Sequence, residues 1–296
     1  MTRPWSRQVR VVVAVVAVVA LAGAGLVLLG PSTGLVPHAL GRRAARPVTV
    51  SPPSAPDSHT VTPPAARHHL PPLRVVALGD SVTAGSVCGC DAFPLVYARL
   101  LSRQQGRVVR VENLGVGGLG SAGMLQQLGQ RSTARAVAAA DVVLVTIGAN
   151  DFSDKKSDVT QATCERPGNG DCVSDELDAM RRRVADALAR IHRLRHGAPT
   201  RVLVTGYWNV FEDGKVARDS YSSAGVAATV RLTLRANEQL RRAAEEQGAT
   251  YVDLLGPFRG AGDVTRLLAG DGDHPDAAGH RLIARTLLAA GPPPAS

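Results

Sequence analysis

Five short runs rich in Val, Leu and other strand formers, at residues 74–78, 107–111, 141–147, 201–205 and 249–253, alternate with segments of helical periodicity. No other feature limits the fold as strongly. Apart from Arg110 and a charged residue at one end of each, the runs are mostly apolar instead of alternating apolar with polar, which predicts strands covered on both faces, the condition of a parallel sheet. Between them, Phe93, Val96, Tyr97, Leu100 and Leu101 recur at helical spacing, with Pro94 suited to a first turn. Leu177, Met180, Val184, Leu188, Ile191 and Leu194 mark a second helix. Val226, Val230, Leu234, Leu240 and Ala244 mark a third, and Leu282, Ile283, Thr286 and Leu287 a last one opened by Pro275. A shorter helix is expected over 121–130. Strand and helix in alternation predict one doubly wound, three-layer α/β/α domain from residue 73 to 296.

The chain before this domain has a different character. Residues 11–29 are uncharged and almost wholly aliphatic or Gly, and Arg3, Arg7 and Arg10 precede them. As a helix such a run is about long enough to cross a ~30 Å hydrocarbon core, and the arginines favour a cytoplasmic N-terminus. Residues 1–30 are therefore expected to be a signal anchor or a cleaved signal peptide, either of which exports the domain. Residues 31–72, rich in Pro, Ser, Thr, Ala and Arg, have no sustained periodicity and read as a disordered, semi-extended linker.

Charge has to be located before it is interpreted. The formal net charge is +9, but seven Arg against the single acid Asp57 place +6 of it in residues 1–72. With aromatic residues at 3% of the chain, no stacking platform for bases is expected, and nucleic acid is not an expected partner. The four cysteines suit an exported protein. They fall as Cys88-Gly89-Cys90 and as Cys164 with Cys172. Closure of Cys164 with Cys172 is the expected bridge, closure of Cys88 with Cys90 is the second local possibility, and cross-pairing is the alternative. Neither pair has the gap usual for a zinc site.

Ligands of doubly wound sheets bind at the carboxyl ends of the strands. Each of the five loops there carries a polar candidate. The first run ends in Gly79-Asp80-Ser81 and the second in Asn113-Leu114-Gly115-Val116-Gly117-Gly118. The third ends in Gly148-Ala149-Asn150-Asp151 and the fourth in Tyr207-Trp208-Asn209, and the fifth leads to Asp271-Gly272-Asp273-His274. An Asp three residues before a His can orient it, and an oriented His can activate a Ser. The expected assignment is Ser81 as nucleophile, His274 as base and Asp271 as orienter. The backbone N–H groups of Ser81 and Gly118 and the amide of Asn150 are expected to receive the oxyanion. Tyr207, Trp208 and Phe211, with the 210–224 segment, are expected to form the substrate pocket or a lid.

Taken singly, each element has a plainer explanation. Gly79-Asp80-Ser81 is a good turn and helix cap, and Asn150-Asp151 a good helix start. Gly115, Gly117 and Gly118 lack the dinucleotide fingerprint spacing. Asp271, Asp273, His274 and His280 could be metal ligands but sit in a Gly-rich turn without further clustering, so no metal is expected there. Asp273 reads as solvated and His280 as part of the last helix. His192 and His196 lie near a helix C-terminus, where cations are favoured.

Together these blocks resemble the SGNH (GDSL-like) hydrolase family over residues 73–290. Ser81 stands in Gly79-Asp80-Ser81-Val82, with Val where many members have Leu. Gly118 matches the second block, Asn150 the Gly-x-Asn-Asp block, and Asp271 with His274 the Asp-x-x-His block. The resemblance implies a flavodoxin-like sheet of order 2-1-3-4-5. It also implies esterase, lipase, thioesterase or deacetylase activity on a small ester, lipid or acylated glycan, without metal or organic cofactor. Transfer of the acyl group to a cell-wall sugar, or a silent scaffold that binds glycan or protein, are the alternatives. No strongly apolar insertion suggests a large lid, which favours short acyl groups.

Overall fold

The computed structural model describes residues 57–64, 70–164 and 171–293. The 11–29 run and residues 31–56 lie outside them. No helix among the described residues is long and apolar enough to cross a membrane.

The elements follow in the order β1 (Asp57–Val61), β2 (Leu73–Gly79), α1 (Ser81–Ala84), α2 (Phe93–Gln105), β3 (Val109–Gly115), α3 (Ser121–Gln127), α4 (Arg131–Ala138) and β4 (Val142–Thr146). After a 3-10 turn at Ala149–Lys155 come α5 (Lys156–Thr160), α6 (Ser174–Leu194), β5 (Arg201–Thr205), α7 (Gly214–Ser220), α8 (Ser223–Glu246) and β6 (Thr250–Val252). α9 (Leu255–Gly260), a second 3-10 turn (Val264–Leu267) and α10 (Ala277–Ala289) complete the chain. One six-stranded sheet runs in the order β1-β3-β2-β4-β5-β6. Its last five strands are parallel, and without β1 their order is the expected 2-1-3-4-5.

Burial explains the composition of the strands. Every residue of β4 is buried, as is every residue of β2 except Arg74. Helices cover both faces, α2 packing with α10 and α6 with α8. Between these layers lie Phe93, Tyr97, Leu101, Met124, Leu144, Phe152, Met180 and Phe258, all fully buried. A buried Phe of this kind typically contributes ~3–5 kcal/mol, judged by its truncation to Ala.

Four local expectations need correction. Residues 57–61, inside the stretch read as a linker, form β1, which pairs antiparallel with β3 along Asp57↔Asn113 to Val61↔Val109. Five strand-competent residues are invisible in a compositional average over 42. The second strand extends to Gly115, so Asn113 belongs to the strand; its amide donates to Thr83 O at 2.8 Å, and its Oδ1 accepts from Gly115 N at 3.0 Å. The helix expected over 121–130 is two, α3 and α4, parted near Gly129. The last helix is opened by Asp276, whose carboxylate accepts from Ala278 N and Gly279 N; Pro275 instead bridges to Leu268. Both local disulfides, Cys88–Cys90 and Cys164–Cys172, are closed.

Candidate active site

The site begins with a close contact between two strands. At the end of β2 a Cβ on Gly79 would lie 2.0 Å from Thr146 O, and Gly79 has φ +146°, so only Gly fits. The next residue, Asp80, is 1% exposed and caps α1 by accepting from Val82 N at 3.0 Å. Its other carboxylate oxygen accepts a short hydrogen bond from the Tyr207 hydroxyl. Burial pushes the Asp80 carboxyl up to about 6, against the opposing pull of these two donors. With both oxygens engaged, Asp80 is a scaffold residue. Ser81 follows at the first position of α1, half-buried, and its backbone N–H has no partner among the described residues.

Two loops facing Ser81 are stapled together. Val116 N donates to Gly79 O at 2.9 Å, which ties the end of β3 to the end of β2. Gly118 adopts φ +77° with open space around it, and its N–H also lacks a partner among the described residues. From the 3-10 turn after β4, Asn150 Nδ2 donates to Leu119 O at 3.1 Å. Its neighbour Asp151 accepts from Ser121 N at 2.9 Å and from Ser121 Oγ at 2.5 Å, with Arg183 at 3.4 Å. Burial raises the Asp151 carboxyl above its ordinary value despite these partners. An amide carries two N–H donors, so Asn150 can hold Leu119 and still present one to a ligand. The helix start that the sequence suggested at Asn150-Asp151 is present as the first turn of the 3-10 segment, and both side chains also reach across to the Gly118 loop.

Asp271 and His274 form a local unit. Asp271 Oδ1 accepts from the backbone N–H groups of Asp273 and His274, each at 3.1 Å. Its Oδ2 lies 2.6 Å from His274 Nδ1. Burial would raise the Asp271 carboxyl, but the bonds from His274 and the two amides outweigh it and hold the group below the ordinary carboxylate value. An ionised Asp271 fixes the proton on Nδ1 and leaves Nε2 bare, the tautomer a general base needs. No hydrogen bond joins His274 to Ser81 among the described residues. Contacts of this kind are often long without substrate and tighten in the complex.

A cavity of about 190 Å³ opens beside Ser81. Asn150, Tyr207, Trp208, Phe211, Lys156 and Asp273 are among its walls. The three aromatics expected there do line it, and they also belong to the core: Trp208 stacks on Phe258 at 4.4 Å, and Lys156 sits 5.8 Å over the Phe211 ring. Asp273, read from sequence as solvated, faces this cavity instead. Burial raises its carboxyl, with Glu212 and Asp271 adding to the rise and His274 opposing it. Lys156 pairs with Glu212, which also accepts from the Tyr221 hydroxyl. Sequence reasoning named the 210–224 segment that holds Glu212 but missed Lys156 and the place of Asp273, because it takes the fold to bring α5, the segment after β5 and the Asp271–His274 turn together.

Of the four residues weighed as metal ligands, Asp271, Asp273 and His274 share one turn, and His280 is grouped elsewhere. His280 is buried in α10, accepts from Phe93 N through Nδ1 at 3.2 Å, and is pushed down to about 4 by burial. Its neighbours are Cys88 and Cys90, which are joined to each other. His192 lies in the last turn of α6 and His196 just beyond it.

A family model described as the GDSL-like lipase/acylhydrolase family matches residues 77–282. None of the curated proteins matches the chain. Among solved structures, a lipase from a goat rumen metagenome is similar over 74% of this chain and 97% of its own, at 19% identity and a TM-score of 0.60. Phospholipase A1 from Streptomyces albidoflavus is similar over 75% and 100% at 19% identity, TM-score 0.54. An acetylxylan esterase from Geobacillus stearothermophilus is similar over 74% and 93% at 18% identity, TM-score 0.51. At these identities the likeness is one of fold.

Proposed function

The chain belongs to the GDSL-like lipase/acylhydrolase family and is a hydrolase of ester substrates, and from that premise we propose that it works through an acyl-enzyme on Ser81. Ser81 Oγ attacks the ester carbonyl as His274 Nε2 takes its proton, and the carbonyl oxygen becomes an oxyanion. The N–H groups of Ser81 and Gly118 and the second Nδ2–H of Asn150 stabilise that charge. The tetrahedral adduct collapses by expelling the alkoxide, which takes the proton from His274. Water then attacks the acyl-enzyme with His274 again as base, releasing the acid and restoring Ser81. Asp271 keeps the imidazole in one tautomer and stabilises its charged form.

The observation that supports this reading is the 2.6 Å Asp271–His274 bond, in a turn whose Asp273 lines the same cavity as Ser81 and Asn150. The test is Ser81→Ala with p-nitrophenyl acetate and butyrate. A loss of roughly 10⁴–10⁶ in kcat is expected, by the scale of such replacements in serine hydrolases. Full turnover in the variant would sink the mechanism. A fluorophosphonate should label the native chain and not the variant; a native chain that takes no label would favour the silent scaffold.

The cavity supports short acyl groups, since 190 Å³ leaves little room for a long chain. Its polar wall of Lys156 and Asp273 favours a hydroxyl-rich alcohol, as in an acylated glycan, over a second lipid tail; with such an acceptor the enzyme would deacetylate or transfer the acyl group. Export, with residues 11–29 as anchor or signal, is supported by the flanking arginines and by the two disulfides.

A further inference from the structure

A second cleft lies away from the catalytic edge of the sheet. Between α4 and the strands β1, β3 and β2 is a cleft of about 440 Å³, within the size range of small-ligand sites. Arg74 of β2, Arg110 of β3 and Arg135 of α4 line it, all three exposed. Arg74 stands near the start of β2 and Ser81 just after its end, roughly 20 Å away at the rise of a strand. The cleft is therefore separate from the catalytic edge.

Its charges are arranged at a cost. Arg74 and Arg110 are direct partners in the β2–β3 ladder, and Thr60 of β1 faces Arg110 from the other side. Like charges directly opposite in a sheet repel. No carboxylate pairs with Arg74, Arg110 or Arg135 among the described residues, although Arg99, Arg181, Arg183 and Arg241 each have one. The acidic groups nearby do not cancel the patch. Glu112 is the only carboxylate in the cleft wall, and Asp141 is engaged by the backbone N–H of Arg74 at 2.8 Å. His59 lines the same wall and, like Ser58, Thr60 and Ser132, adds a polar group to it.

We propose that this cleft binds a phosphate-bearing ligand. A guanidinium forks onto carboxylate and phosphate alike. Three guanidiniums arriving from three separate elements suit a tetrahedral anion with three or more acceptor oxygens better than a planar carboxylate with two. Concavity favours a single phosphoryl group entering the cleft, free or at the end of a lipid headgroup.

The experiment is thermal unfolding of the purified full chain at constant ionic strength with inorganic phosphate, acetate or chloride. Phosphate at about ten times its Kd is expected to raise Tm by about 3–5 °C, with acetate and chloride giving markedly less. Arg110→Gln is expected to abolish the rise, to leave Tm without phosphate unchanged or higher, and to hydrolyse p-nitrophenyl acetate at the native rate. Arg135→Gln, on a different element, guards against a folding defect and should also abolish the rise. Glycerol 3-phosphate and vesicles of phosphatidylglycerol in phosphatidylcholine separate the sources. Arg110-dependent sedimentation with the vesicles assigns a lipid headgroup, and a shift with glycerol 3-phosphate alone assigns a soluble ester. An equal rise in chloride or acetate, or a full rise in both variants, overturns the proposal.

Discussion

The hydroxyl of Tyr207 donates to the carboxylate of Asp80 across 127 residues of chain, and both side chains are buried. This bond joins the loop after β5 to the residue just before the proposed nucleophile, so the pocket wall and the nucleophile turn are held as one piece. Burial lifts Asp80 from 3.8 to about 6. A carboxyl whose folded pKa is raised binds protons more readily folded than unfolded. Its contribution is therefore complete below about pH 4 and is lost as the pH rises through about 6, a swing on the order of 3 kcal/mol. Asp80→Asn keeps a cap acceptor and removes the titration. Measured between pH 4 and 7, the stability of the native chain relative to Asp80→Asn should fall as the pH rises. Parallel stability curves would show that Asp80 does not titrate in this window.

Two glycines of the site should respond to the same change to different degrees. A Cβ at Gly79 meets Thr146 O at 2.0 Å, a backbone atom that cannot move without parting β2 from β4. Gly79→Ala is expected to cost at or above the ~3 kcal/mol upper end of ordinary overpacking. At Gly118 nothing lies within 4 Å, and the only penalty is φ +77°, about 1–2 kcal/mol for a residue with a side chain. Gly118→Ala should fold and keep turnover within about tenfold, because its N–H remains in place. Denaturant midpoints and kcat on p-nitrophenyl acetate check both.

Asp151 touches no reacting atom in the proposed mechanism, yet it holds Ser121 and through it the loop that carries Gly118. Asp151→Ala is expected to lower kcat by about 10²-fold, the low end for a lost oxyanion donor, with little change in KM. Asp151→Asn retains an acceptor for Ser121 N and should recover part of the loss. A purely structural residue would change Tm without separating kcat from KM. Asn150→Ala, which removes a proposed donor outright, should fall by about 10²–10³.

The parallel strands were legible because a strand buried on both faces is mostly apolar, as β2 is apart from Arg74 and β4 is up to Thr146. Their order was not legible from periodicity; it came with the family resemblance. Ser81 and the Asp271–His274 pair were legible because their chemistry is local in sequence. Asp80 was missed as a buried scaffold residue because its partner, Tyr207, arrives from another strand end. Asp273 was misread for the same reason. Its spacing from Asp271 suggested a solvated turn, whereas the fold brings it against the cavity beside Ser81 and into the influence of Glu212.

The edge strand β1 makes the boundary of the folded domain testable. Composition places that boundary at residue 73, but β1 pairs with β3 over five residues, Asp57 to Val61. Removing it would leave the β3 edge with unpaired N–H and C=O groups, a template for pairing with another chain. It would also strip one wall from the arginine cleft. A fragment beginning at 73 is therefore expected to be less stable than one beginning at 51 and to self-associate as its concentration rises. Turnover by its folded fraction should persist, because Ser81, Gly118, Asn150 and His274 all lie beyond the cut. Unfolding midpoints and light scattering of the two fragments measure the difference. Equal midpoints with a monomeric 73–296 fragment would place β1 outside the stabilising sheet.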